Sequence, residues 1–388
     1  MLKLIPASEY CDNIFDGTHD TPKPKTEGKP LITSKHILKD RLDIANAYNI
    51  SLEDYNEINK RSRIRQWDIL FSMIGTIGNI YLEESNNINY AIKNMGVFSC
   101  GNEKKARYLY YYLQSNFAKQ YINQKLAGAV QKFLSLGELR SFPVPSFDEQ
   151  LYNSISILSW IDKKIELNNR INTELEVMAK ELYNYWFIQF DFPDEFRRPY
   201  KSSGGKMVYN DVLKREIPDG WEVKSIKDFC NVVTGKEDAN FATTNGIYPF
   251  FTCGDEILKC DKSAFEGKAI LIAGNGNFNV KYYEGKFNAY QRTYVLIPTE
   301  QKYVGIMYRA MLDAVAKFTH GSNGSIVKFI TKGDIENTYV IVPNNVNLLD
   351  FFNGYLSQVE FIKKQTSDLV EIRDFLLPML MNGQVSVS

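Results

Sequence analysis

From Asp148 to Phe187 the chain runs without a glycine or a proline. Leu151, Ser154, Leu158, Ile161, Ile165, Asn168, Asn172, Leu175, Ala179, Leu182 and Trp186 recur within it at alternating steps of three and four. That spacing lays one apolar or permissive stripe along a helix and calls for a partner helix. At about 1.5 Å per residue the helix is a rod of roughly 58 Å, longer than an ordinary globular helix. Leu348, Phe352, Tyr355, Val359, Ile362, Thr366 and Leu369 repeat the spacing near the C-terminus, with Ile372 and Leu376 continuing it approximately and Pro378 ending it. The second rod is the obvious partner for the first. An antiparallel pair would carry polar core residues (Asn168, Asn172, Thr366) that fix register at a cost in stability.

The rods divide the chain into a globule at 1–147, a rod at 148–192, a linker at 193–215, a globule at 216–343 and a distal rod at 344–388. The linker is basic and contains Ser202-Ser203-Gly204-Gly205. Both globules mix short apolar runs with turn formers, the pattern of an α+β domain. They also repeat one order of signals. Asp68–Ser72 followed by Gly75-Thr76-Ile77-Gly78 matches Lys268–Ile272 followed by Gly274-Asn275-Gly276-Asn277. A helix over Lys104–Gln124 matches one over Tyr303–Lys317. Gly128–Leu134 matches Gly324–Ile330, Gly137-Glu138-Leu139 matches Gly333-Asp334-Ile335, and Phe142–Pro145 matches Val340–Pro343. The reading is a diverged duplication.

Charge is neutral in total but unevenly spread. Residues 1–147 carry 19 basic and 15 acidic side chains, whereas 148–192 carry 4 and 8. The first globule is mildly basic and the rod acidic, so nucleic-acid affinity would need local patches or a partner's charge. No apolar run is long enough for a membrane span. Five cysteines without a CxxC pair point to reduced, cytoplasmic thiols and away from a zinc site. P-loop, HExxH and GxSxG motifs are absent, as are the Asn-Pro-Pro-Tyr and Asp-Pro-Pro-Tyr signatures of adenine methyltransferases. Asp162 and Glu166 sit on the rod beside Lys163 and Lys164, which suits a solvated helix face better than a nuclease metal site.

Four short segments carry a resemblance. Asp16-Gly17-Thr18-His19-Asp20-Thr21-Pro22 looks like the opening loop of a target recognition domain. Leu182–Asp191 looks like the end of a central conserved helix, Ile217-Pro218-Asp219-Gly220-Trp221-Glu222 like the start of a second recognition domain, and Leu376–Gly383 like the end of a distal helix. In this order they resemble the specificity subunit of type I restriction-modification enzymes across nearly the whole chain, although no good copy of the Pro-Asp-Gly-Trp start precedes the first domain. The resemblance implies two target recognition domains separated by an antiparallel intrachain coiled coil. It implies a non-catalytic subunit reading the two halves of a split double-stranded DNA target. Partners would be two methyltransferase subunits and two restriction (motor-nuclease) subunits. S-adenosylmethionine, ATP and Mg would be held by those partners only, and this chain would hold no cofactor or metal. Half-sites read by rigidly separated modules would be centred about one helical turn, roughly 10 bp, apart. The alternative is a coiled-coil scaffold with two protein-binding globules and no DNA role.

Base readout needs forked donors and acceptors, and phosphates need cations, hydroxyls or Gly-rich backbone. The first globule offers Thr18, His19, Lys23, Lys35, Gln131 and Lys132. The second offers Lys236, Asn275, Asn277, Arg292, His320, Ser322, Asn323, Ser325 and Lys328. His320–Ser325 is the best single loop because its glycines allow close backbone approach, with a plain polar hairpin loop as the alternative. Gly274–Asn279 reads as a tight turn after a strand rather than a cofactor loop. Lys60–Arg65 is a phosphate patch or a solvated charged face. On the rods, Leu158, Ile161, Ile165, Leu175, Leu182, Trp186, Tyr355, Ile362 and Leu369 should form the spacer, and the acidic outer face should suit protein partners.

Overall fold

The computed structural model describes residues 3–38, 41–127, 132–319 and 329–381. It divides into two compact units, 1–167 with 366–388, and 168–365.

The first unit opens with strand β1 (Leu4–Pro6), helix α1 (Ala7–Tyr10) and strand β2 (Asn13–Asp16). Strands β3 (Lys29–Ile32) and β4 (Asn49–Ile50) lead to helix α2 (Leu52–Ser62). Strands β5 (Asp68–Ser72), β6 (Ile80–Leu82), β7 (Ala91–Ile92) and β8 (Met95–Ser99) follow. Helices α3 (Glu103–Gln114), α4 (Asn116–Leu126) and α5 (Leu136–Arg140) precede strand β9 (Pro143–Pro145). One sheet has the order β2-β8-β5-β6, a second β4-β3-β7, and β1 pairs antiparallel with β9. Strand β5 is buried on both faces, so its side chains alternate between two cores. Ile69 and Phe71 join the core under α3, and Leu70 joins the core against Ile32 and Ile92. The single helix expected over 104–124 is broken at Ser115. That residue ends α3 in extended geometry while its hydroxyl accepts the Ala118 N–H, starting α4.

Helix α6 (Glu149–Tyr183) follows and ends in a π turn, Asn184–Ile188. The second unit then begins with a hairpin, β10 (Met207–Asn210) with β11 (Arg215–Pro218). The segment expected to be a linker is therefore folded. Its composition hid local partners: Asp191 accepts from the Ser202 N–H and hydroxyl, and Tyr200 stacks on Phe192. Strands β12 (Glu222–Ser225), β13 (Val233–Thr234), β14 (Tyr248–Phe251), β15 (Leu258–Cys260), β16 (Phe265–Ala273), β17 (Val280–Ala289) and β18 (Thr293–Leu296) come next. Helices α7 (Val304–Thr319) and α8 (Lys332–Glu336), strand β19 (Tyr339–Val342) and helix α9 (Val346–Met381) complete the elements.

The duplication is visible strand by strand. The second unit's sheet runs β13-β18-β16-β17-β14-β15, and β12 pairs antiparallel with β19. Its first four strands repeat β2-β8-β5-β6. The parallel pair β14–β17 with antiparallel β15 repeats β3–β7 with β4. The copies differ in their sheets: β17 runs unbroken for 10 residues, where the first unit interrupts the path between β6 and β7 and splits one sheet into two.

The rod stripe read from sequence is the packed face in each unit. None of its eleven positions from Leu151 to Trp186 is exposed. In the first unit Leu158, Ile161, Leu376, Leu377 and Leu380 share one core, and Arg373 donates to Asp162 at 3.1 Å. In the second, Asn168 donates to Gln365 at 3.0 Å, and Tyr183 and Trp186 pack edge-on against Phe352 and Phe351. Residue numbers rise along one helix as they fall along the other, so the pairing is antiparallel. Of the other expected spacer residues, Ile165 and Ile362 are buried, and Leu175, Leu182, Tyr355 and Leu369 are partly so. Two details differ from expectation. Ile372 is 47% exposed, and the strict heptad position falls on Arg373, whose charge is met by Asp162 and Asp374. Helix α9 also continues through Pro378 to Met381. Leu377, Leu380 and Met381 are buried there, and their packing offsets the hydrogen bond that a proline withholds.

Candidate nucleic-acid interface

Each unit brings several of its described candidate readers together on loops at one end of a sheet, and a glycine lets the chain pass there. A Cβ on Gly17 would strike the carbonyl of Ile92, and one on Gly235 the carbonyl of Ala289. The chain therefore passes close beside its neighbour at equivalent points, continued by the parallel bridges Thr18–Lys93 and Glu237–Tyr290.

In the first unit the loop after β2 meets the turn between β7 and β8. His19 Nδ1 lies 2.8 Å from Asn94 Oδ1, and its Nε2 lies 3.0 Å from Asp16 Oδ2. Arg61 donates to the Gly17 carbonyl at 3.1 Å and reaches Asp16, so the Lys60–Arg65 stretch is partly spent inside the unit. Lys93 donates to Thr21. Ser34 donates to the Asn94 carbonyl at 3.4 Å, which brings exposed Lys35 beside this cluster. Thr18 is buried, and its hydroxyl accepts the Asp20 N–H, so it shapes its own loop. Lys23 and Lys132 are exposed. The Leu134 N–H donates to the Met73 carbonyl, which seats Phe133 against Ile74. Gln131 lies outside the described residues.

In the second unit the turns after β13, β14, β16 and β17 converge. Asn279 donates to the Cys253 and Gly254 carbonyls and, at 2.9 Å, to Asp255. Asn277 donates to the other Asp255 oxygen at 2.9 Å. These two asparagines stitch loops together, so Asn277, read as a base reader, is spent on its own fold. Lys281 donates to the Gly254 carbonyl, and burial holds its ammonium below the usual lysine value against the pull of Asp255. Lys236 is exposed. The Gly274 N–H donates to the Arg292 carbonyl at 2.9 Å and the Ile330 N–H to the Gly274 carbonyl at 2.8 Å. These bonds shape an open groove of 440 Å³ lined by Asn275, Gln291, Arg292, Tyr294 and Phe329, among others. Among the described residues no carboxylate lines it. Among the described residues the side chains of Asn275, Gln291 and Arg292 have no hydrogen-bond or ion-pair partner. The place of Gln291 in this groove follows from the β17–β18 turn. His320, Ser322, Asn323, Ser325 and Lys328 lie outside the described residues.

Among the described residues no group of three or more His, Cys, Asp or Glu could hold a metal ion. Asp162 instead pairs with Arg373 and accepts from the Tyr111 hydroxyl at 2.7 Å. No described helix is long and apolar enough to cross a membrane.

Comparison with known proteins gives a single family. The model of the type I restriction modification DNA specificity domain matches residues 17–177 and again 218–371. The EcoDI specificity subunit of Escherichia coli is 35% identical over 178 residues, covering 44% of this chain and 40% of that protein. The MjaIX specificity subunit of Methanocaldococcus jannaschii is 26% identical over 314 residues, covering 73% and 69%. The solved type I restriction-modification S subunit from M. genitalium shares the fold, with a TM-score of 0.57 at 15% identity, covering 98% of this chain and 96% of that one. The two matched stretches coincide with the two sheet-bearing regions and the rod that follows each.

Proposed function

The chain belongs to the type I restriction modification DNA specificity family, and from that premise we propose that it reads a two-part, asymmetric double-stranded DNA target. The observation that carries the proposal is the duplicated sheet, with each copy ending in loops that offer a different set of polar readers. The first unit offers His19, Lys23, Lys35 and Lys132, and the second Lys236, Asn275, Gln291 and Arg292. Unlike sets at equivalent positions favour unlike half-sites, because base edges are read by the pattern of donors and acceptors. The paired rods act as the spacer and as the docking element for two methyltransferase subunits, and through them two restriction subunits. S-adenosylmethionine, ATP and Mg act on those partners, and this chain contributes recognition without catalysis.

The test is a binding titration on duplex DNA with the methyltransferase partner present and salt varied. Affinity should fall steeply as salt rises, because cations that neutralise phosphates release counterions. Absence of salt-dependent binding would leave the scaffold reading in its place.

A further inference from the structure

Phe133 and Phe329 stand at one and the same place in the two units, and both rings lie in the open. Phe133 is 52% exposed and Phe329 is 63% exposed. Their equivalence rests on backbone bonds. The next residue in each case, Leu134 or Ile330, is buried and donates its N–H to the residue following β5 or β16, Met73 or Gly274. One residue further, Ser135 or Thr331 caps a short helix through a reciprocal pair with Glu138 or Asp334. A lone exposed phenylalanine needs no explanation. Two set at equivalent points by matching backbone bonds, in copies whose surrounding polar residues have diverged, do.

The surroundings select the occupant. Phe329 lines the groove with Asn275, Gln291 and Arg292, where a cation and two amides face the opening and, among the described residues, no carboxylate does. Phe133 follows exposed Lys132 and pairs with Ile74. The ring is common to both sites while the hydrogen-bonding groups differ. A protein partner docking alike on both units would favour like polar neighbours. A nucleobase fits better: every base has a π-face and stacks regardless of its identity, and the differing polar groups read its edge. Apolar side chains of this kind enter duplex DNA by partly unstacking a base step.

We propose that Phe133 and Phe329 are paired wedges, each stacking on one base at the edge of the half-site its unit reads. The inference rests on the DNA-reading function above. Its test uses the assembled complex with the methyltransferase partner and duplexes carrying 5-iodouracil, which photocross-links to stacked aromatics. Cross-links on Phe133 and Phe329 are expected in the wild-type protein. Phe133→Ala and Phe329→Ala should each weaken binding about 5- to 100-fold with an unchanged salt slope, since no phosphate contact is lost. Phe→Trp should restore affinity at either position. Binding unchanged in both alanine variants, with no cross-link at either ring, overturns the wedge while leaving the DNA function intact. Alanine variants that bind DNA normally but fail to capture the partner subunit overturn it in favour of protein docking. A wild-type complex without salt-dependent binding overturns the functional reading itself.

Discussion

The two units spend the same scaffold differently. In the first, the reading end is closed on itself: His19 is held between Asp16 and Asn94, Arg61 leans on Asp16 and Gly17, and Lys93 on Thr21. In the second, Asn277 and Asn279 absorb the local carboxylate Asp255, and Arg292, Gln291 and Asn275 face an open groove. The sheets differ in the same sense, interrupted between β6 and β7 in one and continuous through β17 in the other. A duplicated fold thus keeps its backbone geometry, the close-passing glycine and the capped helix, while the side chains at the loop tips change roles.

If the scaffolds are equivalent, damage to the shared geometry should cost both alike. Gly17→Val and Gly235→Val should each destabilise by about 3 kcal/mol, because the new side chain meets a backbone carbonyl that cannot move aside. Denaturant titration of each variant reads this, and a large difference between the two would break the equivalence. The tips should respond unequally. Arg292→Gln should weaken DNA binding by about 10- to 100-fold and lower the salt slope by about one, as expected for a free cation. His19→Gln should do less, because its ring already spends both nitrogens inside the unit. Equal effects would mean that the closed cluster opens on binding.

The smallest expected contrast is with pH. His36 is buried in the first unit, and its Nδ1 accepts the Thr33 N–H at 2.9 Å, a role only the neutral ring can fill. Burial, with Lys35 adding to it, lowers its pKa below 6.5. The unfolded chain therefore takes up the proton first. The stability His36 contributes is complete above pH 6.5 and is lost as pH falls through the lowered folded value, at up to about 1.4 kcal/mol per pH unit. The described part of the second unit contains no histidine. Amide exchange at pH 7.5 and 5.5 should show protection falling in the first unit only, and His36→Gln should remove that difference.

The rods and the candidate site differ in how much of each was legible in sequence. The heptad stripe needed only local periodicity, since residues three and four apart share a helix face whatever lies beyond. The departure at Arg373 arose because an apolar residue, Ile372, stood next to the strict position. The facing Asp162, 211 residues away, together with the neighbouring Asp374, makes an arginine acceptable there. The break at Ser115 and the fold of 193–215 depended on partners that composition does not reveal. At the reading end, Arg292 and Asn275 were legible as residue types, whereas the commitment of Asn277 to Asp255 was not, because the two are 22 residues apart and meet only through the turns.

By itself, the sequence determined the two rods, the duplicated order of signals and the family, all of which reside in spacing and short runs of residues. The tertiary structure decided which polar side chains are free and which are spent, where a partly buried charge finds its counter-ion, and that the aligned Phe133 and Phe329 both stand exposed. Those outcomes depend on contacts between residues far apart in the chain, and hydrogen bonding and burial are fixed only once those residues meet.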